Sequence, residues 1–391
     1  MSKKFKIKTY NKIAQEGLKH LDSNFFEIGE NIEDPDAIIL RSYKLSESEI
    51  PNTVKAIGRA GAGVNNIPLN YCQNNGVAVF NAPGANSNAV KELVICGLLL
   101  SSRGIISGVN KINALNTIDH KEVEKMKSEF KGSELMGKKL GVIGLGAIGI
   151  GLANSAENLG MTVFGYDPFI SVNAAWNLSS SVKKATSLKE LLSQVDYLSL
   201  HVPLNDNTRD FISSNELSMM NKNCVLLNFS RSEIVNNHAV LEALNTNTLR
   251  KYVTDFPDSI FLNHPSVIAM PHLGASTQEA ETNCAVMVAK QLGSFLLEGN
   301  VVNSVNFPHC TNNFSTEYRV VINHKNIPQM VQSISALFGY ENINIIEMLN
   351  KSKDSIAYTM IDVNHDPQSI CKKLEDISGI LSFRVIKKDI S

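Results

Sequence analysis

The sequence predicts an α/β chain: a doubly wound parallel sheet, preceded by a first α/β unit and followed by a small βαββαβ module. Three observations carry this. Short apolar runs alternate with helical stretches from residue 37 to residue 297. A glycine-rich turn, Gly144-Leu145-Gly146-Ala147-Ile148-Gly149, follows directly on the apolar run 140–143. Beyond residue 317 the pattern changes to strand (318–322), helix (330–337), strand (343–349), strand (356–363), helix (368–374) and strand (381–386).

The glycine-rich turn organises the rest. An apolar run of that length forms a buried parallel strand. Gly144 permits the tight turn, Gly146 lets backbone approach a pyrophosphate, and Gly149 lets the next helix pack on the strand. The N–H groups opening that helix, from Ala147 and Ile148 onward, face the phosphates. A second run, 162–166, ends at Asp167, about 20 residues beyond the glycines. An acidic side chain there accepts from ribose hydroxyls and repels a 2′-phosphate, so NAD is expected rather than NADP.

Before this motif, runs 5–9, 37–42, 56–59 and 77–80 are expected strands, with a helix over 13–21. Ligands in open α/β sheets bind beyond the carboxyl ends of strands. Arg41, Ser42, Arg59, Gly61, Gly63 and Asn81 fall at such ends. Their plainer reading is turn glycines and solvated arginines. Residues 86–103 form an apolar helical stretch leading to a polar connection. Strands at 195–200, 224–229, 253–255 and 267–270 complete the dinucleotide sheet, and the helix at 280–297 returns to the first unit, making it discontinuous. The expected organisation is a substrate domain from 1–84 and 282–305, a dinucleotide domain over 85–281, a linker at 306–316 and the last module over 317–391.

The bulk composition narrows the function. Of 391 residues 43% are hydrophobic and 19% charged, ordinary for a globular chain. A net charge of −1 gives no nucleic-acid footprint. No apolar window is long enough to span a membrane, and no apolar segment follows the basic N-terminus as a signal peptide requires. The six cysteines are scattered without Cys-x-x-Cys, so neither a metal site nor a disulfide framework is expected, and a reducing cytoplasm fits.

Hydride transfer at a hydroxyl-bearing carbon needs a base for the hydroxyl proton and a cation for a carboxylate. His272 follows a strand end and titrates in the right range. Arg231 offers a guanidinium that grips a carboxylate with two parallel hydrogen bonds. Asp255 suits a nicotinamide amide. Singly, these residues also read as a structural histidine, a surface ion pair and a helix cap.

Residues 59–67 (Arg-Ala-Gly-Ala-Gly-Val-Asn-Asn-Ile), 144–149, 228–235 and 271–277 (Pro-His-Leu-Gly-Ala-Ser-Thr) together resemble the D-isomer-specific 2-hydroxyacid dehydrogenases. The resemblance runs from about residue 35 to the C-terminus, where the last module resembles an ACT domain. It implies a flavodoxin-like substrate domain with the active site in the cleft against the Rossmann domain. It implies Arg231 on the substrate carboxylate, His272 as acid/base and Asp255 on the nicotinamide amide. It further implies Asp167 on the adenosine ribose, with His201, Val202, Pro203 and Thr208 on the adenine side. Phe229, Ser230 and Gly274 join the cofactor set. Arg41, Ser42, Lys44, Gly61, Ala62, Gly63 and Asn81 would hold substrate, and Arg41 with Lys44 fits a phosphate, so 3-phospho-D-glycerate is the implied substrate. His324, Asn326 and Asn344 match positions that contact an L-serine effector, and a homodimer or homotetramer is implied.

The chain departs from the family pattern in four places. Ser232 stands where glycine is usual, and Asn65 where aspartate is. The glutamate that usually partners the catalytic histidine is absent from Asp255-Phe256-Pro257-Asp258-Ser259-Ile260, so either Asp258 substitutes for it or the histidine works less perturbed. Gln329 replaces a glycine after Pro328. Two alternatives stay open at this level: another D-2-hydroxyacid as substrate, or a non-catalytic NAD-sensing regulator on the same fold.

Overall fold

The computed structural model describes residues 4–388. Two compact units are seen, one built from the residues up to Asn86 together with those from Gln278 onward, the other from Ser87–Thr277.

In the first unit, β1 (Phe5–Thr9), β2 (Phe26–Gly29), β3 (Ala37–Leu40), β4 (Ala56–Arg59) and β5 (Ala78–Phe80) form one parallel sheet in the order β2-β1-β3-β4-β5. That is the flavodoxin-like order. β3 is buried along its whole length, as the unbroken apolar run Ala-Ile-Ile-Leu demands. The helix Gln278–Glu298 covers one face with Cys284, Ala285, Val288, Leu292 and Phe295. Gly58 makes that packing close, since a Cβ there would sit 2.3 Å from Val288.

The second unit holds β6 (Lys139–Ile143), β7 (Thr162–Tyr166), β8 (Lys183–Lys184), β9 (Tyr197–Leu200), β10 (Val225–Asn228), β11 (Lys251–Thr254) and β12 (Val267–Ala269). All pair in parallel, in the order β12-β11-β10-β9-β6-β7-β8. Strand order reverses between β6 and β9, the switch point where a dinucleotide binds in a doubly wound sheet. Ala-, Leu- and Val-rich helices pack both faces, as in Ala147–Asn158 with Leu152, Ala153 and Ala156 buried.

The last module belongs to the first unit. β13 (Tyr318–Lys325), β14 (Glu347–Lys353), β15 (Ile356–Val363) and β16 (Ile380–Lys387) form an antiparallel sheet in the order β14-β15-β13-β16. Its order of elements is the expected βαββαβ. One face packs on the helix Met330–Tyr340 and on Leu374. From the sheet, Val321, Tyr358 and Met360 join the core around Phe295 and Leu296.

Five expectations are corrected. The helix over 13–21 shrinks to Gln15–Leu18. β2 was not anticipated. The strand over 343–349 moves to Glu347–Lys353, because Ile343 is buried in the turn before it. The connection after residue 103 is helical, with Ile105–Asn113 and His120–Met126. Residues 306–316 do not form a loose linker: Phe307, Cys310 and Phe314 are buried. Asn306 accepts from Val79 N–H at 2.8 Å and donates to the Val77 carbonyl at 2.8 Å, closing the β5 edge of the sheet.

No single helix among the described residues is long and apolar enough to cross a membrane.

Candidate active site

The glycine turn has the shape its residues demand. Gly144 lies at φ +88°, and a Cβ there would come within 2.5 Å of the His201 carbonyl oxygen. Only glycine fits that approach. A Cβ on Gly149 would sit 2.0 Å from the Gly144 carbonyl oxygen, so turn and helix are pressed together. Gly146 faces open space, with nothing within 4 Å of a Cβ built on it. That opening is where a pyrophosphate needs backbone to be bare.

Beside the turn lies a cavity of about 420 Å³. Gly144, Gly146, Asp167, His201, Val202, Pro203 and Thr208 line it, which brings together seven of the residues expected at the cofactor. Asp167 accepts from the Leu145 N–H at 2.8 Å and the Phe169 N–H at 2.8 Å, so its carboxylate is fixed at the mouth of the turn. His201 lies close to Ser199 Oγ, 2.8 Å from Nε2, while Nδ1 is buried without a partner. Burial pulls its pKa down to about 4, so the ring is neutral at pH 7. Sequence reasoning missed Phe169, which lines the cavity and is 92% exposed. An aromatic ring so bare has no packing role in this chain. Its position two residues after the acidic strand end was the available signal.

Arg231, Asp255 and His272 follow the carboxyl ends of the three neighbouring strands β10, β11 and β12. Asn228, fully buried, donates to the Arg231 carbonyl at 2.8 Å and holds its backbone. The Arg231 side chain is exposed and donates to the Ser230 carbonyl at 2.6 Å. Phe229 is buried, and Ser230 Oγ donates to the Leu200 carbonyl at 2.6 Å.

His272 is held in a backbone conformation that histidine rarely adopts, at φ +56°. Asp255 holds it there. The His272 N–H donates to the Asp255 carbonyl at 3.1 Å. The Asp255 carboxylate takes the N–H of Leu273 at 2.6 Å and of Gly274 at 2.7 Å. Burial pushes the Asp255 carboxyl above its usual range, while those two N–H groups and the His272 imidazole pull the other way. Phe256 lies against the imidazole in a T-shaped arrangement, with centroids 5.0 Å apart and planes at 64°.

The Asp258 carboxylate is taken up by other groups. Its oxygens accept from the Ile260 N–H at 3.1 Å and from Asn237 Nδ2 at 2.9 Å. Those bonds hold its pKa below the usual carboxylate range, and the imidazole whose charge it feels is His238. Asp255 is the carboxylate coupled to His272.

In the first unit, Arg41 follows the end of β3 and pairs with Glu281 at 2.6 Å. Arg59 Nε and Asn66 Nδ2 each donate to the Arg41 carbonyl at 3.1 Å. Asn81 donates to the Ala62 carbonyl at 2.6 Å, and Ala82 N–H to the Gly61 carbonyl at 2.9 Å. The Gly61–Gly63 turn is thereby tied to the end of β5. Gly61 leaves room for the Arg59 guanidinium, which a Cβ would meet at 1.8 Å. Ser42 and Lys44 are exposed on the loop after β3. Asn66 was not anticipated.

In the last module, His324 is buried. Its Nδ1 lies 2.9 Å from the Lys325 carbonyl and Nε2 lies 2.8 Å from Thr359 Oγ1. Asn326 donates to the Asp354 carbonyl at 3.1 Å, and Asn344 is exposed in the turn before β14. Gln329 sits at φ +69°.

A Rossmann sheet with an open glycine turn, a fixed acidic residue beyond it and an arginine and histidine at its carboxyl edge defines a dinucleotide-dependent dehydrogenase. Residues 99–274 match the family model of the D-isomer-specific 2-hydroxyacid dehydrogenase NAD-binding domain. The chain is 31% identical over 372 residues to D-3-phosphoglycerate dehydrogenase of Escherichia coli K12, covering 90% of this chain and 87% of that one. It is 36% identical over 294 residues to the Methanocaldococcus jannaschii protein of that name, covering 72% of this chain. It spans only 54% of that relative's length. Among solved structures, the NAD+-bound 3-phosphoglycerate dehydrogenase of Entamoeba histolytica matches with a TM-score of 0.62 and 26% identity, over 78% of this chain and 99% of that one. The chain belongs to the D-isomer-specific 2-hydroxyacid dehydrogenase family.

Proposed function

We propose that this chain is an NAD-dependent D-3-phosphoglycerate dehydrogenase, oxidising 3-phospho-D-glycerate to 3-phosphohydroxypyruvate at the start of L-serine synthesis. The observation that carries this reading is the match along nine-tenths of the chain to the E. coli enzyme, which stands beside an arginine and a histidine at the carboxyl edge of the sheet. NAD, when bound, supplies the hydride acceptor. The open face of Gly146, the N–H groups of Ala147 and Ile148, and Asp167 are the groups that would hold it. Arg231 grips the substrate carboxylate and polarises the developing carbonyl. His272 takes the hydroxyl proton and returns it in the reverse direction. Arg41 and Lys44 hold the phosphate, beside Ser42, the Gly61–Gly63 turn and Asn81.

NADH formation from 3-phospho-D-glycerate, compared with D-glycerate and D-lactate, tests this. Turnover confined to the unphosphorylated acids sinks the substrate. No turnover with any of them favours the regulator reading.

L-serine is the proposed effector, with His324, Asn326 and Asn344 as its polar contacts. Suppression of turnover by millimolar L-serine supports it, and turnover indifferent to serine refutes it. The assembly we propose is a homodimer or a larger homo-oligomer. Ile105, Val109 and Ile112 are exposed along one face of the helix Ile105–Asn113, an apolar stripe that a second copy would cover. Light scattering on the wild type and on Val109→Glu decides it, a shift of the variant to monomer being the expected result. The cytoplasm is the proposed location, since six unpaired cysteines suit a reducing compartment.

A further inference from the structure

Arg41 is held differently at its two ends. Its carbonyl is pinned by Arg59 and Asn66, each at 3.1 Å. Its guanidinium lies 2.6 Å from Glu281, in the first turn of the helix Gln278–Glu298. Both side chains reach solvent, at 30% and 43% exposure. An ion pair of that exposure is weak, because water and salt screen it and two long side chains must be ordered to make it. A phosphate dianion offers more charge and three acceptor oxygens to the same guanidinium. It therefore wins the exchange, and Glu281 is then left as a like charge beside it.

We propose that Glu281 is an internal occupant of the Arg41 guanidinium which a substrate phosphate has to displace, so that Glu281 sets how tightly phosphorylated 2-hydroxy acids bind. The proposal rests on the reading of Arg41 as the phosphate-holding residue. Glu281 is a specificity residue and not a catalytic one: it acts through the guanidinium that holds the phosphate. It also weakens the hold of Arg41 on inorganic phosphate, which has to displace the same carboxylate.

The test is the kinetics of wild type, Glu281→Gln and Glu281→Ala with 3-phospho-D-glycerate and with D-glycerate. Removing the carboxylate lowers KM for the phosphorylated substrate about two- to fivefold, the range an exposed pair supports. It leaves kcat, KM for NAD and KM for D-glycerate unchanged, and it strengthens inhibition by inorganic phosphate. A KM that rises, stays level, or falls equally for both substrates overturns the proposal; a rise marks Glu281 as a support for Arg41. Arg41→Met separates the two levels. If it leaves KM for phosphoglycerate unchanged, the underlying reading of Arg41 has failed. If it raises that KM while neither Glu281 variant lowers it, the inference alone has failed.

Discussion

The buried carboxylate of Asp255 takes the N–H of Gly274 at 2.7 Å, and a Cβ on residue 274 would come within 3.1 Å of the same oxygen. With the Leu273 N–H at 2.6 Å on the other oxygen, this clasp shapes the loop that presents His272. Asp255→Asn turns one acceptor into a donor facing a donor. A buried hydrogen bond to a charged group is worth about 1.5–3 kcal/mol, so the variant loses about that much stability. Its kcat falls as the histidine loses its seat. Denaturant unfolding and steady-state kinetics check both; an unchanged midpoint together with unchanged kcat removes Asp255 from this role.

Arg231 and His272 act on different parts of the substrate, and their variants separate accordingly. His272→Gln removes general acid–base catalysis and lowers kcat by about 10²–10⁴. KM for NAD is unchanged, because the cofactor cavity is built by other residues. Arg231→Gln lowers kcat/KM for the acid while NAD binding, read by NADH fluorescence, persists. Loss of cofactor binding in either variant contradicts these roles.

Asp258→Ala is a stability variant. The Asp258 carboxylate caps the turn Ser259–Phe261 and holds Asn237. Loss of such a cap costs about 0.5–2 kcal/mol. Because its pKa is held below the ordinary value, its contribution is present above pH 4 or thereabouts and fades as pH falls through the lowered value. The acid limb of the pH–rate profile stays where it is. A moved limb would falsify the assignment of Asp255 as the carboxylate coupled to His272.

Gln329 carries a side chain at φ +69°, the left-handed region. Gln329→Gly removes that strain at the cost of a looser unfolded chain, for a net gain of about 0.5–1 kcal/mol. The thermal midpoint rises if so. A lower midpoint means the glutamine side chain makes contacts worth more than its strain.

Arg319 is fully buried and paired with Asp362 at 2.6 and 2.8 Å. Arg319→Met leaves a buried aspartate unpaired and costs about 3–5 kcal/mol. Arg319→Met with Asp362→Leu recovers part of that loss. A double variant as unstable as the single one shows that the carbonyls Arg319 also serves matter more than the aspartate.

The parts of this chain legible in the sequence are those where one short run does one job. The 140–149 segment is a strand, a turn and a helix start, and no other arrangement tolerates its glycines. Arg231 and His272 stood out because each comes three residues after the end of a short, largely apolar strand. β2 was not, since Phe-Glu-Ile-Gly is short and sits at the sheet edge. β14 slid because it is an exposed edge strand, so apolar Ile343 marked the turn rather than the strand. The bonds that Asp258 makes were not legible, because chain proximity to Asp255 says nothing about which groups a carboxylate faces. Glu281 and Asn66 were invisible because their partners lie far away in the chain and close only in space.

The helix Gln278–Glu298 ends in Gly299, at φ +75° with its N–H on the Phe295 carbonyl at 3.0 Å, and the carbonyls of this end also take donors from outside the helix. The Phe295 and Leu296 carbonyls accept from Arg384 at 2.9 and 3.3 Å, Glu298 from Arg319 at 2.9 Å, and Gly299 from the Tyr358 hydroxyl at 2.7 Å. Every one of these donors comes from the antiparallel sheet. The last seventy residues are therefore a keystone rather than an attachment. Cutting the chain before β13 takes the side-chain donors away from four carbonyls, leaving only that of Phe295 its Gly299 N–H, and bares Phe295, Leu296 and Phe307, so a shortened chain yields aggregate and not an unregulated enzyme. A lineage that discarded this module had first to rebuild the end of that helix.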